Sequence, residues 1–104
     1  MIQKKFLKTK CKVTFSVPET IEEAAQNISL VGDFNNWDSQ ATPMDKKSGK
    51  FAVTVDLDLN REYEYRYLIN GHDWFNDKEA DRYAPNPFSS DNSVVLTYAN
   101  TSSN

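Results

Sequence analysis

The chain is poor in the residues that support metal, thiol and disulfide chemistry. Its 104 residues include one cysteine and one histidine. A single cysteine cannot form an internal disulfide, and one cysteine with one histidine cannot supply the ligands of a zinc site. Cys11 stands in an alternating stretch, so we interpret it as a small core residue rather than a catalytic thiol. We predict no metal and no cofactor.

Long apolar runs and an excess of positive charge are also absent. No apolar segment approaches the roughly 20 residues of a membrane-spanning helix, and the first residues contain no signal-peptide core. We therefore expect a cytoplasmic chain with no membrane partner. The net charge of −3 and a pI near 5.0 disfavour nucleic-acid binding, which needs a basic surface.

One basic cluster stands out against this acidic background. It consists of Lys4, Lys5, Lys8, Lys10 and Lys12. We interpret these lysines mainly as the solvated face of an edge strand, where lysine discourages edge-to-edge aggregation. An anionic partner is the alternative.

Alternation of apolar and polar residues predicts an all-β protein. The predicted strands are Lys10–Val17, 27–31, 51–59, 63–70 and 93–98. Only 19–26 has a helical composition, and it is too short for more than about one turn. Proline, glycine and asparagine separate these stretches, so we expect an antiparallel β-sandwich of about seven strands.

The length allows one domain. A chain of 104 residues should bury roughly 65% of its unfolded surface, which is enough for one sandwich-sized core. We expect a single domain over 1–104, with its core at about 10–98 and a frayed polar tail at 99–104.

Both tryptophans lie beside turn-forming residues rather than within a strand pattern. Trp37 ends the segment 32–37 (GDFNNW), and Trp74 follows 70–73 (NGHD). The flanking Asn and Asp favour exposure, more firmly for Trp37, although core packing is the commoner role of tryptophan. An exposed indole can stack on a ring-shaped ligand with little loss of rotamer freedom. The two residues are therefore candidates for a sugar-binding platform.

Four motifs follow one another along the chain: 32–37 (GDFNNW), 65–71 (YRYLING) with Trp74 after it, 86–88 (NPF) and 91–95 (DNSVV). This ordered set resembles the glycogen-binding module of the AMP-activated protein kinase β subunit. The same module resembles the N-terminal domains of isoamylase and branching enzymes. Over about 13–98, the resemblance implies an immunoglobulin-like, early-set β-sandwich. It also implies binding of α-1,4-linked glucans such as glycogen, starch or maltooligosaccharides, without catalysis.

The resemblance also implies sugar contacts beyond the two indoles. Arg66 stands where the family has a lysine that contacts sugar hydroxyls, and Asn92 matches an asparagine that bonds a glucose hydroxyl. Phe88 and Ser90 match loop positions that fold over the ligand. Other roles stay open for three of them. These are an ion pair of Arg66 with Glu64 or another acid, a strand cap for Asn92, and core packing for Phe88.

Catalytic chemistry has little support in the sequence. Several acidic residues could form a carboxylate pair for glycoside hydrolysis, but no pattern distinguishes a proton donor among them. No Ser-His-Asp order, phosphate loop or nucleotide fingerprint is present. We predict a protein that is not an enzyme. The alternatives are a protein-interaction domain that has lost the sugar site and an accessory domain of a larger glucan-active enzyme or kinase-like complex.

Overall fold

Two antiparallel sheets form the scaffold of the chain. The computed structural model describes residues 2–17, 26–47, 49–87 and 90–98. Within these ranges there are nine strands: β1 Ile2–Phe6, β2 Lys10–Val17, β3 Ile28–Gly32, β4 Asp45–Lys47, β5 Lys50–Asp58, β6 Glu62–Ile69, β7 Asp73–Phe75, β8 Arg82–Pro85 and β9 Asp91–Leu96. A short 3-10 helix spans Asp33–Asn35. The predicted all-β sandwich is confirmed.

The first sheet has the order β1-β2-β5-β4, and the second has the order β3-β6-β9-β8. Strand β6 is the centre of the second sheet. Its first half pairs with β9 and its last three residues pair with β7, while β3 lines its other side. Three strands therefore flank β6.

The lysine cluster is only partly on an edge strand. Lys4 and Lys5 belong to β1, which is an edge of the first sheet. Lys10 and Lys12 belong to β2, which lies between β1 and β5, so the predicted edge position is wrong for them. Lys4 pairs with Asp81, with 2.6 Å between Nζ and Oδ2, and Lys12 lies 3.5 Å from an oxygen of Asp56. Lys10 pairs with the neighbouring acid of β5 at Asp58. Three lysines of the cluster are thus neutralised within the chain.

Strands β2, β3 and β6 supply the centre of the core. Phe15 and Tyr65 are fully buried, and their ring centroids lie 4.9 Å apart in an edge-on arrangement. Cys11 is also buried in this layer, as predicted, and burial raises the pKa of its thiol. Tyr67 packs edge-on against Tyr65, with their ring centroids 5.9 Å apart.

A buried carboxylate ties the segment after β7 to this core. Asp77 is 3% exposed, and its Oδ2 accepts hydrogen bonds from the hydroxyls of Tyr65 at 2.8 Å and Tyr67 at 3.0 Å. Its backbone N–H donates to Ser93 Oγ at 2.8 Å. Burial is the main cause that raises the pKa of both phenols, and the charge of Asp77 adds to it.

Some predictions lie outside the part of the chain that the structure describes. They are the helical turn at 19–26, apart from its last residue, and the tail at 99–104. Among the described residues, no helix is long and apolar enough to cross a membrane.

Candidate functional site

Strand β6 presents two different faces. Tyr65 and Tyr67 are buried in the sandwich, whereas Glu64 and Arg66 are partly exposed on the other side of the strand. Side chains alternate across a strand, so Arg66 lies on the outer surface of the second sheet. The candidate site is built on this surface.

The loop that carries Trp37 is held tightly against β6. Strand β3 ends at Gly32, where a Cβ atom would come within 2.5 Å of the backbone oxygen of Glu64. No larger residue fits this approach without a shift of the backbone. Asn35 braces the loop, because its Nδ2 donates to the carbonyl of Leu30 at 2.9 Å and its Oδ1 accepts from the Gly32 N–H at 3.0 Å.

The end of this loop fixes the Trp37 indole. Asn36 and Trp37 both have left-handed backbone conformations, with φ of 58° and 56°. The Trp37 N–H donates to the carbonyl of Gly32 at 2.9 Å. Its indole Nε1 donates to Asp33 Oδ1, also at 2.9 Å, and the side chain is half-buried.

The second tryptophan lies within a strand, not on a turn as the sequence had suggested. Trp74 is the middle residue of β7 and is paired in register with Leu68 of β6. It is 43% exposed, so it is more open than Trp37, which reverses the expected order. The Arg66 guanidinium carbon lies 5.9 Å from the centroid of its ring, within cation–π range.

Arg66 has an unusual environment. Its Nε is buried and has no hydrogen-bond partner among the described residues. The alternative ion pair with Glu64 is not found among the described residues, and the Glu64 carboxylate instead accepts a hydrogen bond from Asn92 Nδ2 at 2.9 Å. More than nine in ten buried polar groups are hydrogen-bonded in folded proteins, so an unpaired guanidinium N–H needs an explanation.

Asn92 lies inside β9 rather than ahead of it, so it does not cap the strand. Its Oδ1 accepts from Asn86 Nδ2 at 3.2 Å, and Asn86 Oδ1 in turn accepts from the backbone N–H of Ser90 at 3.3 Å. These bonds, with the bond to Glu64, form a relay along the surface of the second sheet. Its direction fixes which way each amide points.

These side chains surround one open groove with a volume of about 490 Å³. Its described lining consists of Trp37, Arg66, Trp74, Asn86, Pro87 and Asn92. Four of the six residues predicted for the sugar site therefore share one groove. Ser90 is exposed and lies beside the groove through its bonds with Asn86, and Phe88 lies outside the described residues. No group of three or more His, Cys, Asp and Glu side chains in the described ranges is placed to hold a metal ion.

Sequence reasoning did not assign three residues that shape the groove. Asn86 and Pro87 belong to the recognised motif at 86–88, which was the available signal for them. Asp33 was one of several acidic residues that no sequence pattern distinguished. Its position inside the segment 32–37 was the only hint of a contact with Trp37.

A groove lined by aromatic side chains with a few polar groups beside them has the general form of a small-ligand site. The chain matches the family of carbohydrate-binding module 48 (isoamylase N-terminal domain) over residues 11–89. It belongs to this family, which confirms the relationship that its motifs predicted.

Two curated relatives are 1,4-alpha-glucan branching enzymes GlgB. The protein of Aquifex aeolicus (strain VF5) is 40% identical over 57 residues, which cover 52% of this chain and 9% of the relative. The protein of Novosphingobium aromaticivorans is 37% identical over 51 residues, which cover 47% of this chain and 7% of the relative. The match thus spans less than one tenth of the length of either enzyme.

Proposed function

We propose that the chain binds α-1,4-linked glucans in the groove and does not cleave them. The observation that carries this proposal is the meeting of two indoles, a guanidinium and two amides around one groove. A glucose ring has an apolar C–H face and a polar rim, so its site needs aromatic planes with hydrogen-bonding groups beside them. Family membership and the 1,4-alpha-glucan branching enzymes among the relatives support the glucan class.

Each lining residue has a chemical role in this proposal. Trp37 and Trp74 provide the stacking planes. The Arg66 guanidinium lines the groove and donates to a sugar oxygen. Asn92 uses one amide proton on Glu64 and keeps a second for a hydroxyl group. Ser90 and Phe88 contact the ligand from the adjoining loop, as the resemblance implies.

The same groove supports binding without hydrolysis. Cleavage of a glycosidic bond generally requires two carboxyl groups on opposite sides of that bond, about 5 to 10 Å apart. The described lining of the groove contains no carboxylate. Incubation with maltoheptaose is therefore expected to release no reducing ends. Hydrolysis that stays with the wild-type chain through repurification would contradict this part of the proposal.

Electrophoresis in gels with and without glycogen tests the binding site. Trp74 and its neighbour Phe75 provide a matched pair, since they are 43% and 42% exposed on the same short strand and only Trp74 is among the groove residues. We expect glycogen to retard the wild-type chain and Phe75→Ala, and to retard Trp74→Ala much less. Maltoheptaose should release the retarded protein. A wild-type chain that migrates equally in both gels would contradict glucan binding, and equal losses in the two variants would contradict the groove.

The chain matches less than one tenth of the length of each related branching enzyme, which favours a second proposed role as part of a larger protein or complex. The chain would be an accessory region of a larger glucan-active enzyme or complex and would hold the polymer near other domains. Size-exclusion chromatography of an extract from the native source, with detection by mass spectrometry, tests this. Elution far above 11.9 kDa together with peptides of the same partner is expected, whereas elution near 11.9 kDa would contradict it.

A further inference from the structure

We infer that Asp33 positions the Trp37 indole for ligand and thereby raises glucan affinity without contacting the glucan. The part that concerns affinity rests on the proposed function. Asp33 is exposed and is not among the described residues that line the groove. Its role follows from what its two oxygens bind.

Each carboxylate oxygen of Asp33 has its own partner. Oδ1 accepts the indole Nε1–H of Trp37 at 2.9 Å, and Oδ2 accepts the backbone N–H of Glu64 at 2.8 Å. Glu64 precedes Arg66 by two residues on the outer face of β6. One carboxylate thus connects an indole that lines the groove to the strand that presents the guanidinium.

The sheet register explains why a side chain occupies this position. Gly32 is paired with Tyr65, and one further step along both strands would place the backbone of residue 33 opposite Glu64. The chain instead leaves the sheet and enters the 3-10 helix. The Asp33 carboxylate accepts the N–H of Glu64 at the point where strand pairing ends.

The backbone conformation of Trp37 gives the bond between its indole and Asp33 a structural role. A left-handed conformation is unfavourable for a residue with a bulky side chain, and it persists where surrounding bonds hold it. The backbone bond to Gly32 fixes the Cα position, and the bond to Asp33 fixes the rotation of the ring. A ring that is already oriented loses less freedom when it binds a ligand.

Trp74 provides an internal contrast. Its indole N–H has no hydrogen-bond partner among the described residues, and its ring is flanked by the Arg66 guanidinium. A carboxylate positions one of the two indoles and not the other. Asp33 therefore acts on the shape of one half of the groove.

A double-mutant cycle measured by calorimetry with maltoheptaose tests the inference. Trp37→Phe keeps an aromatic plane but removes the N–H that Asp33 accepts. We expect Asp33→Ala to weaken binding about five- to twentyfold in the wild-type background and less than about twofold in the Trp37→Phe background. Equal losses in both backgrounds would overturn the inference, since Asp33 would then act through Glu64 alone.

Asp38→Ala is the matched control for loss of one negative charge from this segment. Asp38 Oδ1 accepts the Gln40 N–H at 2.9 Å, and among the described residues no hydrogen bond joins Asp38 to the indole, so this variant should bind like the wild-type chain. A loss equal to that of Asp33→Ala would assign the effect to net charge and overturn the inference. If Asp33→Ala does not fold, Asp33→Asn retains a carbonyl oxygen and is expected to fold and to lose affinity to a smaller extent.

The indole signals in a ¹H–¹⁵N correlation spectrum of the ligand-free protein give a reading that does not depend on binding. The chain has two tryptophans, and Trp37→Phe assigns their signals. Asp33→Ala should move the Trp37 indole signal and speed its exchange with water, with that of Trp74 unmoved. An unmoved Trp37 signal would overturn the positioning role even if glucan binds. A wild-type chain that binds no maltoheptaose would overturn the proposed function and the affinity effect, while the spectrum still decides the positioning.

Discussion

The two faces of strand β6 use polar groups in opposite ways. On the inner face, the hydroxyls of Tyr65 and Tyr67 both donate to the buried carboxylate of Asp77. On the outer face, Arg66 has a buried Nε without a partner among the described residues, beside the exposed ring of Trp74. Adjacent residues of one strand thus belong to two different environments.

This contrast separates stability from recognition. Hydrogen bonds that close on themselves within a core hold the fold, because each buried donor finds its acceptor inside the protein. The Arg66 guanidinium and the exposed ring of Trp74 line the groove, where they can instead contact a ligand that has hydrogen-bonding groups beside an apolar face. Each prediction below changes one face and asks whether the other responds, beginning with the largest expected effect.

Removal of the inner aromatic ring should damage the fold most. Tyr65→Ala is expected to lower the free energy of unfolding by about 3–5 kcal/mol, since it empties a fully buried site and removes a hydrogen bond to Asp77. Phe15→Ala, on the facing sheet, should be similar. Urea denaturation measures the change, with the exposed Phe75→Ala as control. A Tyr65→Ala protein that unfolds like the wild type would reverse the assignment of the two faces.

Alkaline pH should weaken the inner face without a mutation. The pKa of Tyr65 and of Tyr67 is raised in the folded protein, so only the unfolded chain ionises these phenols just above their ordinary pKa of about 10. Their contribution is constant below that pH. Above it, the free energy of unfolding should fall by about 1.4 kcal/mol per pH unit for each phenol.

Urea titrations between about pH 9 and 11 measure this dependence. Tyr67→Phe removes one of the two phenols and should reduce the total fall in the free energy of unfolding between pH 9 and 11 by about 1.4 kcal/mol, whatever its effect on stability at neutral pH. Identical slopes for the variant and the wild-type chain would mean that Tyr67 ionises equally in both states.

Removal of the ordered indole tests the outer face. Trp37→Ala should weaken glucan binding by about 1–3 kcal/mol, because aromatic anchors dominate sites of this kind. Far-UV circular dichroism should stay β-like, since the side chain is only half-buried. Unchanged retention on glycogen gels would exclude Trp37 from the site, and loss of the β signal would make it a structural residue.

The smallest effect is expected from the polar groups of the groove. Arg66→Ala should weaken maltoheptaose binding by about 0.5–2 kcal/mol with little change in melting temperature, because no ion pair of Arg66 is present in the described ranges. Asn92→Ala should lose similar affinity and also some stability, through its bonds to Glu64 and Asn86. Calorimetry measures the change in affinity, and a thermal melt of the same variants measures the change in stability. Normal affinity in both variants would mean that the chain has the fold but that these two residues do not bind the sugar.

The parts of the fold that the sequence predicted are those with enough alternating residues to show a period. Strands β2, β3, β5, β6 and β9 meet that condition. Strands β4, β7 and β8 have three or four residues each, too few to show alternation. Lysines hid β1. Trp74 was wrongly assigned to a turn for the same reason. Its segment is a strand because it pairs with β6, and the residues next to it in the sequence do not indicate this pairing.

Members of the candidate site could be predicted where the residue type itself carries the proposed chemistry, and could not be predicted where a long-range contact brings residues together. Trp37, Trp74, Arg66 and Asn92 were identified from their type and from the motif order, and the fold brings them to one groove. The Glu64–Asn92 bond joins β6 to β9, and nothing in either segment indicates it. In the sequence, Asp33 cannot be distinguished from other exposed acids. Its contact with the Trp37 indole arises from the fold of the turn at 33–37.

The buried position of Cys11 has a practical consequence for measuring this molecule. It is the one thiol of the chain, it is fully buried in the sandwich, and burial raises its pKa. A thiol reagent can modify it only after the two sheets separate, because the reactive thiolate is both shielded and scarce in the closed form. The rate of labelling therefore reports how often the sandwich opens. The labelling rate of Cys11 can be measured with and without a sugar in the groove, and the protein needs no added dye or tag.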